Sequence, residues 1–319
     1  MPTLKELATR EDLLSGGHRA CAGCAMTPIV RQILLVAGKN TVVGCATGCL
    51  EVTTTIFPYT AWRVPFIHSA FENVAATISG VETAYRSFKR QGKAKDEVKF
   101  IAFGGDGGTY DIGIQALSGA LERGHKMLYV CYDNQAYMNT GNQRSGATPF
   151  SADTSTCPVG DIIKGKPQYN KDLTSIVAAH GIPYVAQACG GFWRDLTTKV
   201  EKALAADGPS FINVLSPCVL GWKYPTDESI EMGKLAVDTC FWPLYEVQEG
   251  VYRLTYIPAK KKPLGEWTKR QGRFRHMHEP GCEALLEKAQ REVDRRWEKL
   301  LSISEKPARP GKQARDTSA

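Results

Sequence analysis

Apolar positions change their period several times along the chain, and each change marks an element. Val74, Ile78, Val81, Ala84 and Phe88 recur at helical spacing and predict one amphipathic helix across 71–89. The run Val98-Lys99-Phe100-Ile101-Ala102-Phe103 stops at Gly104-Gly105-Asp106-Gly107-Gly108, which reads as a strand ending in a glycine turn. Ile112, Ile114, Ala116 and Leu117 then carry a helical pattern within 109–119, and 127–132 forms the next strand before Asp133-Asn134. This β-α-β unit predicts a parallel sheet with helices on both faces. Ligands of such sheets gather outside the carboxyl ends of the strands, where Asp106 and Asn134 both fall.

On either side the α/β rhythm continues. A polar arm occupies the first 20 residues, and a helix is expected just after Cys24, with Thr27 as its cap and Pro28 in its first turn. Residues 41–44 read as a short buried strand running into a Gly- and Thr-rich loop at 46–49, and 140–166 as a long ordered or ligand-covering loop. Further elements are expected at 176–179, 184–187 and 197–205, with a strand at 210–215 that ends at Ser216-Pro217-Cys218. Leu286, Ala289, Val293, Trp297 and Leu300 share one face of a helix across 281–301, which packs on the body or on a neighbouring subunit. The last 14 residues read as disordered. The expected fold class is α/β, a doubly wound, mostly parallel sheet, with residues 1–225 as the α/β domain and 226–319 as a helical C-terminal extension.

Composition narrows the class without naming it. With 319 residues, 43% hydrophobic and 23% charged, the chain can bury a sizeable core and is not a disordered or collagen-like polymer. Its apolar stretches fall far below the roughly 18 residues of a membrane span, and the charged N-terminus is unlike a secretory signal, so a cytoplasmic location is expected. The net charge of +7 sits in the tail: residues 258–319 hold 16 Lys/Arg against 9 Asp/Glu, and residues 1–257 hold 24 of each. No interleaved aromatic and Arg pattern accompanies that tail, so a solvated end or an acidic protein partner is expected, and no nucleic acid.

Two constellations carry chemistry. Gly105-Asp106-Gly107 is followed across one β-α-β unit by Asn134; a diphosphate held through a divalent cation needs such a carboxylate and a second side-chain oxygen facing one space. Magnesium would complete its octahedron with a backbone carbonyl just past Asn134, most simply that of Ala136. Gly107 and Gly108 leave the backbone open to phosphate. The G-x-G-x-x-G pattern of a dinucleotide site is absent. The second constellation is Cys21-x-x-Cys24 with Cys49 and the distant Cys218, in a chain with ten cysteines and no export signal. Buried thiols, structural zinc and an iron–sulfur cluster all remain open; the lack of a second close pair suits the cluster better than a zinc ribbon. Cys45 is the rival to Cys49.

The segments Gly17–Cys24, Ala46–Val52, Ala70–Ala76, Gly104–Gly113 and Tyr132–Gln143 closely resemble the β subunits of the 2-oxoacid:ferredoxin oxidoreductase family, pyruvate:ferredoxin oxidoreductase in particular. The likeness runs from about residue 15 to about 300 and includes Trp242–Glu246 and Gln271–Phe274. It departs mildly at Ala25 and at Gln135-Ala136. It implies thiamine diphosphate bound through Mg²⁺ at Asp106, Asn134 and the Ala136 carbonyl, a 4Fe–4S cluster on Cys21, Cys24, Cys49 and Cys218 close to the thiazolium, with Cys49 beside the cofactor, and Asn139 as an active-site amide. It also implies oxidative decarboxylation of a 2-oxo acid with acyl transfer to coenzyme A. Thiamine enzymes need a second α/β domain to grip the aminopyrimidine and supply a Glu, and none is recognisable here. A larger α subunit is therefore expected to complete the site, with γ and δ ferredoxin-like subunits passing electrons to ferredoxin.

Overall fold

The computed structural model describes residues 3–305, so the stretch expected to be disordered lies outside the described residues. Eight strands form one sheet: β1 (Thr41–Ala46), β2 (Phe66–Ser69), β3 (Lys99–Gly105), β4 (Leu128–Asp133), β5 (Tyr184–Cys189), β6 (Ser210–Leu215), β7 (Tyr245–Gln248) and β8 (Val251–Leu254). Their order is β2-β1-β3-β4-β6-β5-β7-β8. The first six run parallel, and β7 and β8 add an antiparallel hairpin at one edge. Every residue of β4, β5 and β6 is buried, which is why their sequences are mostly apolar with no alternating polar face, and the polar residues among them, such as Gln187 and Asn213, are buried too.

Successive residues of each strand serve opposite faces. Val43, Ile101, Phe103 and Val130 join the helices Met26–Ala37 and Trp193–Ala205 in one core, whereas Phe100, Ala102, Tyr129 and Cys131 meet the helices Val74–Arg90, Ile114–Glu122 and Glu283–Ile303 on the other face. The C-terminal helix thus packs on the body, through Ala289, Val293, Trp297 and Leu300. A third apolar cluster around Trp222, Trp267 and Phe274 ties residues beyond 225 to the sheet's carboxyl edge.

Local chemistry departs from expectation in three places. The helix after Cys24 starts at Met26 with Ala25 at its cap, so Thr27 is a buried helical residue and caps nothing. The helix expected across 109–119 divides into a wide π-helical turn, Gly107–Ile112, and a regular helix, Ile114–Glu122; such turns recur at functional sites. The polar arm holds a short helix, Leu4–Ala8, and buries Leu7, Leu13 and Leu14. Residues 140–166 form an ordered loop, one of the two forms expected, in which Ser145, Thr148, Ser151 and Lys166 are buried and Lys166 Nζ donates to the Thr148 carbonyl at 2.5 Å. Strands β2, β7 and β8 were not anticipated. The last two are joined by Glu249 (φ 50°) and Gly250 (φ 80°), a two-residue turn between alternating runs that the sequence does display.

Candidate active site

Parallel register sets the ends of β3 and β4 side by side, with Gly105 opposite Tyr132, so the residues that follow emerge into one space. Asp106 is buried there, its Oδ2 accepting from Ser145 Oγ at 2.5 Å and its Oδ1 from the Asn134 amide N–H at 3.3 Å. One terminal atom of the Asn134 side chain lies 2.8 Å from both Asp106 Oδ1 and the Ala136 carbonyl oxygen. As nitrogen it would donate to both; as oxygen it completes a trio of oxygens with no proton among them. Cation–oxygen distances of 2.0–2.1 Å put adjacent ligands of an octahedron about 2.9 Å apart. Both separations from the Asn134 atom lie close to that figure, so Asp106, Asn134 and the Ala136 carbonyl are compatible with a Mg²⁺ ion.

Electrostatics points the same way. Burial, and then the neighbouring Asp133 carboxylate, push the Asp106 carboxyl well above the usual range, and burial pushes Asp133 up as well, against hydrogen bonds from Tyr110 Oη (2.5 Å) and the Gln135 N–H (3.0 Å). Two buried carboxyls titrate as a pair, and a dication bound beside them would favour ionisation of both. The glycines of the turn answer to packing more than to φ: a Cβ on Gly107 would meet the Tyr137 ring at 2.4 Å, and one on Gly108 the Phe71 carbonyl oxygen at 2.7 Å.

Four thiols gather at the same edge of the sheet. Cys49 opens the helix Cys49–Thr54 just after β1, and Cys218 caps the helix Val219–Trp222 just after β6. Cys21 and Cys24 lie in the turn before Met26, where Gly23 is left-handed (φ 74°) and a Cβ would strike the Thr226 carbonyl oxygen at 2.0 Å. Burial raises the Cys24 thiol to about 11 and the Cys49 thiol to about 12; Cys218 and Cys21 add to both, and Asp106 adds to Cys49. Backbone N–H groups point at the sulfurs, from Met26 and Thr27 to Cys24 and from Leu220 and Gly221 to Cys218, the last at 3.4 Å. Among the described residues no group of three or more His, Cys, Asp or Glu is placed to hold a metal ion. Four mutually perturbing thiols with amide N–H donors suit a polynuclear cluster. Cys45 stands apart: it is wholly buried in β1, and the charge that adds to its burial is that of Glu51, not of the four thiols.

Asn139 lies exposed on the turn closed by the Tyr137–Gln143 bridge, outside the buried oxygen trio. Sequence reasoning did not single out Ser145, Asp133, Gln135, Trp222 or Arg273 as site residues. Ser145 comes from a loop with no periodic pattern, and Arg273 from the extension, 138 residues beyond Gln135, to which its Nη2 donates at 2.6 Å. The position of Asp133 beside Asn134 at a strand end was the one available signal. A cavity of about 470 Å³ lies elsewhere, beneath the C-terminal helix; it reaches Tyr110 behind Asp133, and Asp106, Cys21, Cys24, Cys49 and Cys218 are not among its lining residues.

Comparison with known proteins agrees with this geometry. Residues 43–214 match the family described as thiamine pyrophosphate enzyme, C-terminal TPP binding domain. The chain is 55% identical to the pyruvate synthase subunit PorB of Thermotoga maritima, over 94% of this chain and 95% of that protein, and 41% identical to the ketoisovalerate oxidoreductase subunit VorB of Pyrococcus abyssi, over 92% and 94%. A solved 2-oxoglutarate:ferredoxin oxidoreductase from Magnetococcus marinus shares the fold at a TM-score of 0.54 and 20% identity, covering 70% of this chain and 79% of that one. With this likeness along nearly its whole length, the chain belongs to the pyruvate synthase β-subunit (PorB) family, whose members share the thiamine pyrophosphate enzyme domain matched here.

Proposed function

We propose that the chain serves a coenzyme-A-dependent pyruvate:ferredoxin oxidoreductase, with Mg²⁺ and thiamine diphosphate held at Asp106, Asn134 and the Ala136 carbonyl and a 4Fe–4S cluster on Cys21, Cys24, Cys49 and Cys218. The observation that carries this reading is the Asn134 side-chain atom 2.8 Å from both Asp106 Oδ1 and the Ala136 carbonyl oxygen at the ends of β3 and β4, on the edge where the four thiols gather. Bound there, the thiamine group supplies an electron sink for loss of CO₂ from a 2-oxo acid, and the cluster supplies a one-electron outlet.

The chain's own residues bind and orient. Asp106 contributes the anionic ligand, and the Ser145 hydroxyl fixes its second oxygen. Trp222 Nε1 donates to the Asn134 carbonyl at 2.8 Å and sets the angle of the loop. Gly105, Gly107 and Gly108 keep the backbone bare of side chains where diphosphate oxygens would approach. Asn139, exposed beside the site, is free to meet a substrate. Among the described residues no helix is long and apolar enough to cross a membrane.

An α subunit would complete the site. Phe57 and Tyr59, a few residues past Cys49, are 94% and 78% exposed, more apolar ring than a surface leaves bare without a partner. Further γ and δ subunits would pass electrons to ferredoxin. The test is anaerobic assay of the purified complex and of this chain alone, with pyruvate, 2-oxoisovalerate and 2-oxoglutarate, coenzyme A and a viologen dye. The expected outcome is activity of the complex with the highest kcat/KM for pyruvate and none from the isolated chain. A preference for 2-oxoisovalerate would move the assignment to the VorB side of the family.

A further inference from the structure

Arg273 is a buried cation whose partners are all neutral. Only 2% of it is exposed; Nε donates to Gln271 Oε1 at 2.8 Å and Nη2 to Gln135 Oε1 at 2.6 Å. Its guanidinium lies over the rings of Trp222 (4.1 Å), Phe274 (4.8 Å) and Trp267 (5.6 Å). Among the described residues no carboxylate forms an ion pair with it, although nearby Arg270 pairs with Glu228. Ring faces offset part of the cost of a desolvated charge, and the buried Asp133 and Asp106 carboxyls favour it from a distance without bonding it.

The backbone ties this cation to one cysteine. Gly272 N donates to the Lys223 carbonyl at 3.0 Å, and a Cβ on Gly272 would crowd Lys223 Cβ at 2.7 Å, so the Gly272–His278 turn sits directly on the Cys218–Lys223 segment. Trp222, the nearest ring under the guanidinium, lies four residues past Cys218, with its N–H donating to the Cys218 carbonyl at 2.9 Å. Of the groups whose negative charge would favour the guanidinium, Cys218 comes first, ahead of Tyr224, Asp133 and Asp106. Hydrogen bonding to Gln135 places the same side chain against the Asn134–Ala136 loop.

We propose that Arg273 is a positioning residue and the fixed counter-charge for the anionic cluster assembled on the four cysteines. It would hold Gln135 in place while favouring the more negative, reduced state of the cluster. This rests on the cluster reading above, and the experiment separates the two. The intact complex is purified anaerobically, its iron is counted, and the midpoint of the EPR signal that disappears in Cys49→Ser is titrated in wild type, Arg273→Lys and Arg273→Gln.

Loss of the charge in Arg273→Gln is expected to disfavour reduction about tenfold, a shift of about 59 mV to more negative potential for one electron. Arg273→Lys, which keeps the charge and loses the fork, should stay close to wild type. A purely structural arginine would lower melting temperature and iron content alike in both variants and leave the midpoint of the remaining signal unmoved, which overturns the inference. If Arg273→Gln retains no iron, Gln135→Glu decides: a carboxylate set against Nη2 neutralises the cation in place and should shift the midpoint in the same negative direction, and an unmoved midpoint overturns the inference there too. A wild-type complex with no iron on this chain removes the cluster reading itself and Arg273's role with it.

Discussion

Replacing Asp106 with Asn preserves shape and removes one charge, so it separates the metal-binding role of this residue from its part in the fold. In the loaded protein the carboxylate faces a dication inside a buried site. Deleting one partner of a buried, hydrogen-bonded charge pair costs about 3–5 kcal/mol, which at about 1.4 kcal/mol per decade is two to nearly four powers of ten in affinity for Mg²⁺–thiamine diphosphate. In the metal-free protein the sign reverses. Asp106 and Asp133 are both buried, and burial raises both carboxyls, with Asp133 adding to the rise at Asp106. A carboxyl whose folded pKa lies above its unfolded value of about 3.9 contributes stability below that value and loses it as pH rises through the folded pKa. The metal-free wild-type chain should therefore weaken from mildly acidic toward neutral pH, and Asp106→Asn should weaken less, melting at an equal or higher temperature near pH 7. Retained thiamine diphosphate is measured by chromatography after anaerobic desalting with and without Mg²⁺, and melting is followed in chelator from pH 5 to 8. Cofactor retained at wild-type stoichiometry would refute the ligand role; a large fall in metal-free melting temperature would refute the electrostatic account.

Cys49→Ser should lose iron and visible absorbance, whereas Cys45→Ser, which changes a core thiol of β1, should keep about four irons per chain, as read by metal analysis. Gly107→Ala must push the Tyr137 ring from 2.4 Å and should destabilise the chain by about 1–3 kcal/mol in chemical denaturation. Ser145→Ala leaves the metal ligands in place and removes the donor to Asp106 Oδ2, so it should weaken cofactor binding by roughly 10–100-fold in titration calorimetry, much less than Asp106→Asn. Phe57→Ser should leave the isolated chain's melting unchanged, because the ring is 94% exposed, and weaken association with the α subunit by at least about tenfold in sedimentation.

Whatever depended on short-range pattern was visible in the chain itself. The runs at 98–103, 127–132 and 210–215 are predominantly apolar without alternation because a sheet covered on two faces leaves no solvent-facing side, and the glycine turn and Asp133-Asn134 follow where the first two runs stop. From that, the parallel sheet and the pairing of Asp106 with Asn134 could be anticipated, since parallel neighbours send their carboxyl ends the same way. Long-range register and packing decided the rest. Cys218 meets Cys21, Cys24 and Cys49 only because β6 inserts beside β4, and Cys45 is set apart only because its side chain takes the core side of β1. No periodicity announces Ser145 or Arg273, for each reaches the site from an irregular segment 39 residues from Asp106 and 138 residues from Gln135. Contacts at such separations depend on how the whole sheet stacks its layers, and local sequence carries no record of that.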